Sequence, residues 1–161
     1  MKLITDLGYE AEHVIIRDSD TFHDQVELMS RAGVFVAVHG AGLMNQIFLA
    51  PGSAVIEVFP VHVKHVLYER VAHYAGVYHF KVYSHAFEDG FHKRHPQYRD
   101  KNCDSRVDSL DVPSDGSCWT LVKNSNVMVP LPEFRTALIE SLDFIKRFKD
   151  PEKDEKDGYD R

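Results

Sequence analysis

Five consecutive apolar residues, Val34-Phe35-Val36-Ala37-Val38, stopped at once by His39-Gly40-Ala41-Gly42, constrain this chain more than any other stretch. An unbroken run rich in β-branched residues is how a parallel strand buried on both faces reads. The two glycines around Ala41 let the backbone turn sharply and leave no Cβ to hold a ligand away. Leu43 to Leu49 then has a helical pattern, with Leu43, Ile47 and Leu49 expected to face inward, and Pro51-Gly52 sets a second turn before a second strand, Val55 to Phe59. A strand that ends in a glycine turn and feeds a helix aims backbone N–H groups and the positive helix end at one point, which suits an anion. On the glycines alone a second reading stands beside it: a turn that packs the helix tightly on the sheet, with no ligand.

The polar residues favour the first reading. His39 falls at the carboxyl end of a strand, where open α/β sheets place their ligands. Asn45 follows within the helix, Ser53 lies in the second turn, and Glu57 is embedded in the otherwise apolar Val55-Ile56-Glu57-Val58-Phe59. A buried carboxylate needs a partner, because burying it alone costs several kcal/mol. Sugar hydroxyls would serve, and so would backbone donors.

The string VHGAGLMNQIFLAPGSAVIEVFP, preceded by the helical FHDQVELMSRAG, resembles the signature of glycosyltransferase family 61. The close likeness covers about residues 22 to 60 and a looser one continues to Tyr78. The resemblance implies one Rossmann-like half of a two-halved GT-B enzyme, the donor-binding second half. It further implies inverting transfer from a nucleotide sugar, a UDP-sugar, to a protein or polysaccharide acceptor in the lumen of the Golgi or endoplasmic reticulum. No resident cofactor or metal follows from it. Because the other half of such enzymes forms the acceptor side, no residue here is assigned as the general base, and the chain alone is expected to bind donor without completing transfer.

With 161 residues and 43% hydrophobic content the chain is expected to form one domain over residues 1–149, irregular between 84 and 118, followed by a disordered charged tail, 150–161. The net charge is −6; the tail carries six acids and three bases, which leaves −3 elsewhere and argues against a nucleic-acid partner. No run approaches the roughly 18 apolar residues of a membrane span, and MKLITDLGYE has no signal-peptide core. The spacing of Cys103 and Cys118 fits no zinc site. Joined, they would close a loop of about 15 residues, worth roughly 3 kcal/mol in the chain-entropy model, and a bridge would fit the oxidising lumen that the resemblance implies; two thiols are the other reading.

Along the chain, a short amphipathic piece ends at Gly8, and His13-Val14-Ile15-Ile16 reads as a strand. Thr21 and Asp24 have the spacing of a capping box for a helix to about Ala32, with Phe22, Val26 and Met29 on one face. Val63, Leu67, Val71 and Tyr74 predict a helix from 63 to 75 ended by Gly76, then a strand from 77 to 83. Two further strands are expected at 119–122 and 126–129, and a final helix whose apolar face is Phe134, Leu138, Leu142 and Ile145, packed across the sheet. Strands alternating with helices predict a parallel α/β sheet.

Breaking a glycosidic bond to a nucleotide diphosphate leaves negative charge on the departing phosphate. A helix amino terminus and hydrogen-bonding or cationic side chains can neutralise it. Backbone N–H groups of Gly40, Ala41, Gly42 and Leu43, with His39 as a further donor, match that need; the alternative for His39 is a strand-end histidine bonded to backbone. Glu57 is the candidate for ribose hydroxyls, and Asn45 and Ser53 for phosphate or sugar, against the plain readings of a helix-surface amide and a turn serine. His62, His65, Glu69 and His73 could line a metal site or form a polar helix face. Lys93, Arg94, Arg99, Lys101 and Arg106 could fold over a diphosphate or form a solvated loop. A non-catalytic nucleotide- or phosphate-binding module is the alternative function. A dinucleotide enzyme is disfavoured, because HGAG lacks the GxGxxG spacing.

Overall fold

The computed structural model describes residues 2–17, 19–61, 63–85, 91–94, 107–108 and 126–150. Three strands, β1 (Val34–Val38), β2 (Ala54–Phe59) and β4 (Tyr78–Tyr83), form a parallel sheet in the order β1-β2-β4. Val34 pairs with Ala54 and Ala37 with Glu57, and on the other side of β2 Glu57 pairs with Lys81. A two-residue strand, β3 (Val63–Lys64), pairs in parallel with β5 (Val107–Asp108) in a separate small sheet.

Side chains alternate across a strand, so the pairing sorts the sheet into two faces. Phe35, Ala37 and Val55 pack against α2 (Phe22–Ser30), a 3₁₀ helix η1 (Ala41–Phe48) and α3 (Leu67–Ala75), through Met29, Leu43, Leu49, Tyr68 and Ala72. The opposite face, with Ile56, Val58 and Val82, is covered by α5 (Leu131–Lys149) through Ala137, Leu138 and Leu142, and by Ile4 of α1 (Lys2–Asp6). A short α4 (Phe91–Arg94) completes the helices among the described residues. The expected α/β architecture, a parallel sheet with helices on both faces, is therefore present.

Local signals that named a specific atom held. Thr21 caps α2: its Oγ1 accepts from the Asp24 N–H at 3.2 Å, and Asp24 Oδ2 accepts from the Thr21 N–H at 3.0 Å. Gly76 ends α3 with φ 69°. Gly52 turns the chain into β2 at φ 80°, and a Cβ there would lie 2.1 Å from the Phe148 ring of α5.

Expectations that depended on helical period or on a pairing partner did not all hold. Leu43 to Leu49 is not an α-helix. At three residues per turn the inward face is Leu43, Gln46 and Leu49, so Gln46 is fully buried and Ile47 is 47% exposed. β1 is not buried on both faces. It is one of the two edge strands, and α5 covers β2 and β4 instead, leaving Val36 and Val38 partly exposed; β2 is the strand buried throughout. Residues 13–16 form no strand, having no partner among the described residues, and Val14, Ile15 and Ile16 are exposed.

The helix expected at 63–75 begins only at Leu67, after β3. Its inward face is Tyr68 and Ala72, and Leu67 and Tyr74 turn outward. On α2, Phe22 is exposed and meets Phe48 edge-on at 5.3 Å, while Met29 carries the burial. At 126–129 there is a single bridge at Val127. The strand expected at 119–122, Cys103 and Cys118, and the tail beyond Asp150 lie outside the described residues.

Gly52→Ala is expected to destabilise the protein by about 3 kcal/mol in urea unfolding, combining left-handed backbone strain with collision against Phe148. In a Phe148→Ala background the loss should fall to about 1–2 kcal/mol, the backbone part alone. An unchanged loss in that background would remove the ring from the account.

Candidate functional site

The face of the sheet turned towards η1 and α3 carries a polar cluster that runs from the carboxyl end of β1 across β2 to β4. Glu57 of β2 is 0% exposed and is bound on both sides. Its Oε1 accepts from Nδ1 of His39, the residue following β1, and its Oε2 lies 2.7 Å from Nε2 of His79 on β4. Both rings are nearly enclosed, with side-chain exposures of 8% and 5%. The register makes this arrangement possible: Glu57 sits opposite Ala37 and Lys81, so the residue two beyond Ala37 and the residue two before Lys81 stand on its own face.

Around His39 the packing is aromatic. Its ring stacks on Phe59 at 5.2 Å and 21°, meets Tyr68 edge-on at 5.2 Å, and lies 5.6 Å from His65. Phe59 stacks in turn on Tyr83 at 4.9 Å. His65 is oriented by its own bond, Nδ1 accepting from the Leu67 N–H at 2.9 Å. On α3 and β4, Glu69 Oε2 pairs with Lys81 Nζ at 2.6 Å.

Burial pushes the Glu57 carboxyl up, but the hydrogen bonds it accepts from His39 and His79 outweigh it, leaving the group below its ordinary 4.5. Burial also raises the Tyr68 hydroxyl, with the Glu57 charge adding to it. An ionised carboxylate only accepts, so each imidazole nitrogen facing it carries a hydrogen. His39 therefore holds its hydrogen at Nδ1 on Glu57 and directs Nε2 away from it.

The glycine turn begins directly beyond His39. The His39 N–H bonds to the Val58 carbonyl at 2.8 Å, and the Leu43 N–H closes the first turn on Gly40 at 3.0 Å. Leu43 is buried and its N–H is already used, so it leaves the expected set of anion donors. Gly40, Ala41 and Gly42 remain at the helix start, where N–H groups lack intrahelical partners. Neither Gly40, extended at φ 166°, nor Gly42 lies in the left-handed region, and a Cβ on Gly42 would meet nothing within 4 Å. The backbone and the packing thus place no demand for glycine at 42, and the missing side chain leaves open space above the turn.

The remaining candidates separate. Asn45 is half-buried on η1, one turn beyond Gly42. Ser53 stands at the amino end of β2, away from His39, and its hydroxyl donates to the Ala32 carbonyl at 3.2 Å; it is not part of the cluster. Glu57, expected to meet sugar hydroxyls or backbone donors, has both oxygens on histidines instead. His62 lies outside the described residues, and among those described no group of three or more His, Cys, Asp or Glu is arranged to hold a metal ion. Lys93 and Arg94 lie on α4, and Arg99, Lys101 and Arg106 fall outside the described residues. Sequence reasoning missed His79. The alternation in Tyr78-His79-Phe80-Lys81-Val82-Tyr83 carried the signal, because it puts His79 and Lys81 on one face.

Residues 2–56 match the family Glycosyltransferase 61. The match runs from α1 through η1 and ends one residue before Glu57. Over 43 residues the chain is 44% identical to protein O-linked-mannose beta-1,4-N-acetylglucosaminyltransferase 2 of Mus musculus and of Homo sapiens, and 37% identical to that of Danio rerio. That stretch is 27% of this chain and spans 7% of the length of the curated relatives. The resemblance to glycosyltransferase 61 read from the sequence thus holds over this segment. Among the described residues no helix is long and apolar enough to cross a membrane.

The lowered Glu57 value fixes a pH dependence. The unfolded chain binds the proton more tightly than the folded one, so the stability from the ionised pair is complete above 4.5 and is lost as pH falls through the lower folded-state value. Glu57→Gln is expected to lose about 3 kcal/mol at neutral pH, with the gap to wild type narrowing in acid. Urea unfolding between about pH 3 and 7 would check this; a gap that stays constant would contradict it.

Proposed function

We propose that this chain is the nucleotide-sugar-binding part of a glycosyltransferase, with the diphosphate of a UDP-sugar resting on the turn at Gly40, Ala41 and Gly42. The single observation behind this reading is the pairing of that open turn with a histidine whose ring is fixed by a buried carboxylate, both at the carboxyl ends of parallel strands. The glycosyltransferase 61 match, which takes in His39 and the turn and ends before Glu57, supports it.

As the bond from the sugar anomeric carbon to the phosphate oxygen breaks, its electron pair stays on the phosphate. The backbone N–H groups and the positive end of η1 face that charge. His39 in its protonated form donates from Nε2 to a phosphate oxygen, while Glu57 balances the resulting imidazolium from behind. Glu57 acts on the donor through His39 and makes no contact with ribose. Asn45 is the side chain on η1 assigned to the sugar or phosphate.

The wider reading follows the resemblance: an inverting GT-B enzyme of which this is the donor half, acting in the secretory lumen on a protein or polysaccharide acceptor. The name of these relatives makes O-linked mannose the acceptor chemistry to try first. No residue of this chain is assigned as the general base.

Gly42→Val tests the anion site without disturbing the core, since nothing lies within 4 Å of its Cβ. Calorimetric affinity for UDP is expected to fall at least tenfold, the equivalent of about 1.4 kcal/mol, with the circular dichroism unchanged. Unaltered affinity in the folded variant would remove the turn from the binding site.

A further inference from the structure

We propose that His79 is a positioning residue for His39, acting through Glu57, so that one buried carboxylate carries two imidazoles with unequal duties. This extends the donor-binding reading above and rests on it for its functional consequence, but the arrangement of hydrogens can be tested by itself.

The geometry makes the two rings unequal. His79 Nε2 holds Glu57 Oε2 at 2.7 Å and therefore carries a hydrogen. Its other nitrogen, Nδ1, is buried with no hydrogen-bond partner among the described residues. A second hydrogen there would be an enclosed N–H with no acceptor, which is costly, so His79 remains a neutral donor. His39, at the strand end beside the glycine turn, is then the ring to which the single negative charge of Glu57 answers.

Two polar groups beside the pair, His65 and Lys81, have partners of their own. Against His39 stand Phe59, His65 and Tyr68, with His65 Nδ1 committed to the Leu67 N–H. Lys81, beside Glu57 in the register, is held by Glu69. With His79 in place, Oε2 is satisfied, the carboxylate cannot rotate without losing a bond, and Oε1 stays on His39 Nδ1. Without it, a buried carboxylate keeps one oxygen unanswered and is driven to take up a proton. The protonated acid can donate to His39 Nδ1, and the hydrogen of His39 moves to the other nitrogen.

Nitrogen-15 spectra of the imidazole rings in ligand-free protein at neutral pH read this directly. Wild type is expected to show His79 with a bare Nδ1 and a hydrogen on Nε2, and His39 with its hydrogen on Nδ1. His79→Phe keeps the ring volume without the donor; His39 should then lose its single tautomer, and UDP affinity should fall about tenfold. His79→Gln, whose amide can still donate to Oε2, should restore both. A folded His79→Phe protein with the His39 tautomer unchanged would overturn the proposal. So would wild-type His79 carrying its hydrogen on Nδ1, a result that decides the matter even where the Phe variant does not fold. Failure of wild type to bind UDP would sink the donor-binding reading while leaving the tautomer result to stand.

Discussion

A carboxylate with no exposed surface, in the middle of the central strand of a sheet, has to be matched from within the protein. Desolvating it costs several kcal/mol, and its attraction to partners offsets that only where the geometry is good and every oxygen is bonded. Glu57 meets both conditions, because the strands on either side each bring an imidazole to it. Much of the architecture follows as a requirement of that contact. The three strands must be parallel and in this register for His39 and His79 to reach the same face, and η1, α2 and α3 must cover that face to keep the pair away from water.

The opposite side of the sheet has no such polar demand and is held by hydrophobic packing. Leu138 and Ala137 of α5 lie against Ile56, Val58 and Val82, each largely hidden. Fully burying side chains of this size contributes about 1.5–3 kcal/mol apiece, so the apolar face supplies the stability that lets the other face hold a charge. The division suits the position of the glycine turn. The turn leaves β1 on the polar face's side of the chain order, directly after His39, where the histidine and the start of η1 point to one region.

What the sequence showed depended on whether a signal was local. The Thr21–Asp24 capping box, Gly76 as a left-handed stop, and the Gly52 turn are each fixed by residues within a few positions, and all three are present. The apolar run Val34–Val38 gave the strand but not its place, since its edge position depends on how β2 pairs and its exposed face on where α5 settles, roughly a hundred residues later. In η1 the error was one of period. A count by fours chose Ile47, a count by threes chooses Gln46, and no residue in Leu43–Leu49 announces the tighter winding. At the site, the need of Glu57 for a partner was legible, because a lone carboxylate in an apolar strand is a conflict on its face. The partner was not, since His79 meets it only across two strands and a helix. The alternation of β4 gave its face, but only pairing gives its neighbour.

The central claim is that Glu57 fixes His39 so that its Nε2 and the amides of the Gly40–Gly42 turn receive a diphosphate together. A crystal structure of this chain with bound UDP tests it most directly. The account predicts a phosphate oxygen about 3 Å from His39 Nε2 and others on the turn amides, with Glu57 still on His39 and His79. UDP seated elsewhere, or with its ribose on Glu57 and His39 swung clear, would contradict it.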